Sequence, residues 1–199
     1  MKISNKALTC LFVLTLTSFT GCFNFGGGST NPTVTTSDQT RKIDDPKYAF
    51  TAIIPREWDI IEAKDFTKDV PQETQLVLRN NVKNEDFTAN VNVVHHVLQT
   101  TRETLEYAKQ VINAEKTGLY NYQESKRDTF QIPIADKKAD TYVTYFVGAK
   151  EPSSDVITFI QTFAVKGTDA YIITGSYSPK ESQINVKAVE SIVKSFILK

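Results

Sequence analysis

Two places in this 199-residue chain hold side chains whose type and spacing could do chemistry. The first is Phe19-Thr20-Gly21-Cys22, which closes a short apolar run near the start. A cysteine behind two small residues is the arrangement a lipoprotein-processing peptidase accepts. The thiol takes up diacylglycerol, the bond between Gly21 and Cys22 is cut, and acyl chains of the palmitate kind hold the new N-terminus at a bilayer. Burying such chains contributes about 0.8 kcal/mol per methylene, and stable anchoring takes about two of them. The preceding residues fit. Lys2 and Lys6 give a positive start, and Ala7 to Phe19 form an apolar middle broken by Thr9, Thr15, Thr17 and Ser18. That middle is too short to span a membrane, which needs about 20 apolar residues. Phe19 stands where leucine is usual, an apolar substitution. Residues 1–21 are therefore expected to be a signal peptide and Cys22 the lipid attachment point. Cys10 leaves with the leader, so Cys22 is the only cysteine of the processed chain, which can form no internal disulfide.

The second place is the pair His95-His96, the only histidines. In a regular strand starting at Phe87, odd positions share one face, so His95 would join Val91, Val93 and Val97 while His96 points the other way. Neighbours on opposite faces do not readily share one metal ion. A packed histidine beside a surface one is the simpler reading, and His96 is at most a weak ligand candidate. Other signatures are missing. Gly175-Ser176-Tyr177 lacks the spacing and second glycine of a nucleophile elbow. There is no His-Glu-x-x-His, no paired Cys-x-x-Cys and no acidic calcium loop. Asp44-Asp45, Asp65 with Asp69, and Glu85-Asp86 lie in turn-like or linker stretches where solvated charge is the default. No catalytic residue and no cofactor is expected. Tyr120 and Tyr122, alternating with Asn121, are the candidate surface for a protein partner.

Charge says little about partners. The chain has 23 basic and 23 acidic residues; losing Lys2 and Lys6 leaves 21 against 23, a net charge of −2. Interspersed signs give neither the basic stripe nucleic acid needs nor a polybasic lipid patch. Residues 22–46, with Gly26-Gly27-Gly28-Ser29 and several threonines, have almost nothing to bury and are expected to be a flexible tether. A coil of about 25 residues reaches roughly 27 Å. The rest, residues 47–199, is the usual size for one domain.

Strand periodicity dominates this part. Phe50, Ala52 and Ile54 alternate before Pro55, Gln75 to Arg79 makes a short strand, and Phe87 to Val93 alternates cleanly. Tyr142 to Val147, Val156 to Val165 and Ala170 to Tyr177 follow, the last two joined at Lys166-Gly167-Thr168-Asp169 as a hairpin. Two segments turn helical. Thr100 with Glu103 forms a capping box, Leu105, Ala108 and Ile112 line one face, and Gly118 marks the stop. For the second, Ser178 is the expected cap, Pro179 the first helical residue and Glu181 the end of the box, with Ile184, Ala188, Ile192 and Phe196 along the stripe. The expected class is α+β, an antiparallel sheet covered by helices.

The run Phe50-Thr51-Ala52-Ile53-Ile54-Pro55-Arg56-Glu57-Trp58, an apolar strand ending in Pro-x-x-Trp, resembles the opening of PsbP-like domains. Ala170 to Thr174, followed by a helix ending in Ser195-Phe196, is similar to their close. The resemblance, to bacterial PsbP-related and DcrB-like envelope lipoproteins, covers residues 47–199. It implies an α/β/α sandwich that binds other proteins and has no common catalytic centre, and a fold of this kind constrains function only loosely. The resulting expectation is a non-enzymatic, lipid-anchored cell-envelope protein, exposed outside the cytoplasm, that binds or stabilises a partner protein. The alternative is an envelope carrier of a small ligand or of manganese or zinc.

Overall fold

The computed structural model describes residues 39–66, 70, 73–82 and 87–199. The expected leader, Gly21, Cys22 and most of the expected tether lie outside these residues, as do Asp69, Glu85 and Asp86. Ten strands and two α-helices follow one another as β1 (Thr40–Ile43), β2 (Phe50–Pro55), β3 (Asp59–Glu62), β4 (Thr74–Arg79), β5 (Asn90–Val97), α1 (Thr104–Gly118), β6 (Tyr120–Ile134), β7 (Lys137–Ala149), β8 (Ile157–Lys166), β9 (Asp169–Tyr177), α2 (Gln183–Lys194) and β10 (Ile197–Leu198). The strands form one sheet in the order β1-β2-β10-β6-β7-β8-β9-β5-β4-β3. Every pairing is antiparallel except that of β10 with β6, where Leu198 lies parallel to Ile134. The sheet is thus mixed and not wholly antiparallel, because β10 returns from α2 in the direction of β6.

The order explains the shape. β2 and β3 are separated by only Arg56, Glu57 and Trp58, yet they stand second and last among the strands. A three-residue link cannot cross a flat sheet, so the sheet curls until its ends meet. Trp58 closes the seam: it is buried, its amide bonds back to the Pro55 carbonyl, and its own carbonyl accepts from Arg41 at 2.7 Å. Lys47, just before β2, reaches Glu62 of β3 at 2.5 Å. The Pro-x-x-Trp stretch is a turn that joins β2, next to one edge, to β3 at the other.

Inside the curl, Phe50, Ile54, Leu76, Leu78, Val91, Val93, Ile160, Ile173 and Phe196 form the main core with Val189, Ile192 and Val193 of α2. Phe50 stacks on Phe196 with ring centroids 4.9 Å apart and meets Tyr171 edge-on. On the other face, Tyr107, Ala108, Val111 and Ile112 of α1 pack on Val94, Phe163, Val165 and Ile172. The alternation of β8 sorts the two cores: Phe163 and Val165 turn to α1, Ile160 and Ala164 to α2.

Several local expectations change. β1 lies in the stretch expected as tether and pairs with β2 from Thr40↔Pro55 to Ile43↔Ala52, so ordered structure begins before residue 47. The first helix starts at Thr104 with Glu103 in the cap position, and Thr100 plays no part. The Thr104 hydroxyl accepts from the Val165 amide of β8, which fixes the helix start by a tertiary tie. Leu105 leaves the buried face, and Gly118 is the last helical residue, followed by extended Leu119. The second helix is capped by Ser182, whose hydroxyl accepts from the Asn185 amide, whereas Ser178 and Glu181 close a separate turn. Ile184 is consequently 80% exposed. Residues 120–134, not expected as strand, form the longest strand with the 124–128 charges along it, hairpinned to β7 through Ala135 at φ 51°. The β8–β9 hairpin closes as expected, with Gly167 at φ 64° supplying the left-handed turn residue.

Candidate functional site

The most unusual chemistry lies beneath α1. Helical spacing from Thr104 through Tyr107, Ala108, Val111 and Ile112 brings Glu115 onto the same buried face, 5% exposed. Opposite it, Gln161 interrupts the aromatic alternation of β8 between Phe159 and Phe163. Register sets Thr144 of β7 and Thr174 of β9 on either side of Gln161. All four residues are buried. The Gln161 amide donates to Glu115 Oε1 at 2.7 Å and to Thr174 Oγ1 at 2.9 Å. Glu115 Oε2, Gln161 Oε1 and Thr144 Oγ1 have no hydrogen-bonding partner among the described residues. Burial pushes the Glu115 carboxyl up to about 8, opposed only by the Gln161 bond. At neutral pH the group is a carboxylic acid, held in a polar band that parts the Tyr107 cluster from a third cluster of Phe87, Phe146, Ile157 and Phe159.

The rim of this band is charged. Tyr122 stacks on Phe146 at 5.2 Å and donates to Glu124 Oε2 at 3.2 Å. Glu124 also receives Arg127 at 2.5 Å and Lys116 of α1 at 3.6 Å. Burial works to raise the Glu124 pKa, but the hydrogen bond and charge of Arg127, with Tyr122 and Lys116, bring it below the usual carboxylate value. Burial, and then the Glu124 charge, lift the Tyr122 phenol well above its ordinary range. The two tyrosines expected to share a surface do not. Asn121 takes φ 54° and the pairing shifts between Tyr120 and Gln123, so Tyr120 is 50% exposed while Tyr122 folds onto the core.

The histidines do face apart. His95 Nε2 lies 2.7 Å from Asp169 and its ring stacks on Tyr171 at 4.7 Å. His96 Nδ1 lies 2.8 Å from the Tyr107 hydroxyl of α1. Burial chiefly lowers the His96 pKa, with the nearby Glu73 charge acting against it. The odd-numbered face ends early, because Val97, at the strand end opposite Asp169, is 73% exposed. Among the described residues no three histidine, cysteine, aspartate or glutamate side chains gather to hold a metal ion. Nor is any described helix long and apolar enough to cross a membrane.

Sequence reading passed over Glu115, Gln161 and Thr144. A signal existed: Glu115 falls three and four residues after Ile112 and Val111 on the apolar stripe, and Gln161 sits at an inward position flanked by two phenylalanines.

No family model and no curated protein matches the chain. Among solved structures, the solution structure of cyanobacterial PsbP (CyanoP) from Synechocystis sp. PCC 6803 aligns at a TM-score of 0.54 and 11% identity, over 86% of this chain and 98% of that one. LpqN of Mycobacterium tuberculosis, involved in cell envelope biogenesis, aligns at 0.47 and 10%, over 81% and 86%. A protein of unknown function from Pseudomonas aeruginosa aligns at 0.49 and 11%, over 79% and 95%. The likeness to CyanoP shows a PsbP-like fold, in line with the family resemblance of the Phe50–Trp58 and Ala170–Phe196 stretches.

Proposed function

From a PsbP-like fold, we propose that this chain is a non-enzymatic cell-envelope protein, anchored by acyl chains on Cys22, whose domain binds or stabilises a partner protein. The observation that carries this reading is the N-terminal pattern: Lys2 and Lys6, the apolar run Ala7 to Phe19, then Thr20-Gly21-Cys22. Anchoring would confine the domain to a shell above the membrane and raise its effective concentration toward partners held there. The perturbed groups of the domain support a binding role over a catalytic one. Glu115 is buried against Gln161, and half-buried His96 bonds to Tyr107 of α1, so each is engaged within the domain. We read α1 and α2, one on each face of the sheet, as the outer layers of an α/β/α sandwich.

Membrane fractionation of wild type and Cys22→Ser tests the anchor. Wild type should sediment with membranes, and the variant should persist as precursor or be released. Identical partition of the two refutes it. In-cell crosslinking with mass spectrometry tests the second half: a protein reproducibly joined to the wild-type domain supports it, and a purified domain that turns over a substrate defeats it.

A further inference from the structure

We propose that α1 is a proton-held latch: Glu115 fastens the C-terminal half of the helix to the sheet as the neutral carboxylic acid and releases it as the carboxylate. The proposal stands apart from the anchor and the partner, since it uses only the inside of the domain.

The geometry is short of donors. Both described bonds of the Gln161 amide nitrogen are committed, one to Glu115 Oε1 and one to Thr174 Oγ1. What remains around that amide is Glu115 Oε2, Gln161 Oε1 and Thr144 Oγ1. Thr144 and Gln161 are directly opposed on one face of an antiparallel ladder, where Cβ atoms stand about 5 Å apart. Gln161 Oε1 can only accept, as can Glu115 Oε2 when ionised, and the threonine hydroxyl brings a single proton. A carboxylate would add another acceptor to this set; a carboxylic acid supplies the missing donor.

Among the described residues no cation offsets an ionised Glu115. Around Glu115 the elements packed on α1 are β6, β7 and β8, while the first turns of the helix also meet Val94 of β5 and Ile172 of β9. From β8 it meets Gln161, with Thr144 of β7 opposite that glutamine, and both are uncharged. From β6 come Tyr122, Glu124 and Arg127, and from α1 itself Lys116. Arg127 and Lys116 are both paired with Glu124. At the far end of the helix, half-buried His96 of β5 bonds Tyr107, about two turns of helix ahead of Glu115 in the chain. The helix end itself is closely seated, since a Cβ on Gly148 of β7 would come within 2.9 Å of Leu119.

When the half-helix lifts, Glu115 meets water and regains its ordinary value of 4.5, against about 8 when docked. The opening equilibrium therefore gains about tenfold per pH unit across that interval and levels off above it. Lifting would uncover the Phe146–Phe159 stack.

Hydrogen exchange of the full chain in detergent, read by mass spectrometry and corrected for the intrinsic rate, tests the latch. Protection of peptides from the second half of α1 should fall about tenfold per unit from about pH 5 to about pH 8, while β9 peptides hold steady. Glu115→Gln, which keeps a donor and cannot ionise, should remove that slope. A flat wild-type profile, or an equal slope in the variant, overturns the proposal. Should the variant not fold, infrared spectroscopy of the wild type decides: a protonated-carboxyl stretch at neutral pH that vanishes on alkalinisation supports the latch, and its absence at neutral pH overturns it.

Discussion

Gly175 of β9 faces α2, and an alanine there should measure how tightly helix and sheet are fitted. A Cβ at this position would lie 2.2 Å from Val189 Cγ1, 2.8 Å from Ile160 Cγ2 and 3.2 Å from Val193 Cγ2. Ordinary contact begins at 3.4 Å, so Val189 must withdraw by more than 1 Å. Valine in a helix has essentially one rotamer and cannot swing aside, so α2 itself must lift. Its buried face, Val189, Ile192 and Val193, would lift with it. Overpacking of this kind costs about 1–3 kcal/mol, and the stiffer unfolded chain returns about 0.4–1 kcal/mol. With a contact as short as 2.2 Å the overpacking cost falls at the upper end of that range, so a net loss of about 2 kcal/mol is expected for Gly175→Ala, or several degrees in melting temperature for a domain of this size. Val189→Ala should by itself cost about 2 kcal/mol through lost burial and cavity. Combined, the two changes remove the 2.2 Å contact and leave the 2.8 Å one to Ile160, so the double variant should cost less than the sum of the singles, with a coupling energy of about 1 kcal/mol. Urea unfolding followed by circular dichroism supplies all four corners of the cycle. Additivity of the two changes within about 0.5 kcal/mol would refute the steric account.

Two further outcomes follow from the same packing. The His96 pKa lies below its unfolded value of 6.5, so above that value both states are neutral and the cost is absent. It grows as pH falls through 6.5 toward the folded value; His96→Asn, which can still accept from Tyr107, should lack this acid-side loss in denaturation series at falling pH, and parallel curves would contradict the assignment. Trp58→Ala empties the seam between the ends of the sheet and should cost about 3–5 kcal/mol with loss of β3 protection in hydrogen exchange, whereas a change below about 1 kcal/mol would mean that Trp58 does not hold the edges together.

The sequence disclosed the parts whose burial is one-sided and regular. β2, β4, β5, β8 and β9 are legible because each carries an inward row such as Phe50, Ala52 and Ile54. β1, β3 and β10 are not. β1 buries only Ile43, β3 buries nothing fully, and β10 has two residues held by neighbours distant in the chain. β6 hides for another reason. Its outer edge meets β10 only at Ile134, and two register shifts break its alternation, so its charges read as loop. Both helices exist where periodicity puts them but start later, because a tertiary tie at Thr104 and a local side-chain cap at Ser182 replace the first good capping pattern. The buried carboxyl was obscured by its type: glutamate on a helix is read as solvated, and only the position of Gln161 across the interface shows otherwise.

The curl of the sheet also decides how the domain bears mechanical load. Lys199 donates its amide to the Ala49 carbonyl at 2.7 Å and pairs with Asp44 at 3.0 Å, so the last residue lies beside the stretch between β1 and β2. Tension arriving from the N-terminal side therefore falls first on β1, a strand of four residues that gives the core only Ile43. β1 can peel away while β2, clamped on its other side by β10 and by the Ser195 hydroxyl at Ile53, keeps the interior sealed. Under a pull from that side, β1 would yield as a mechanical fuse does.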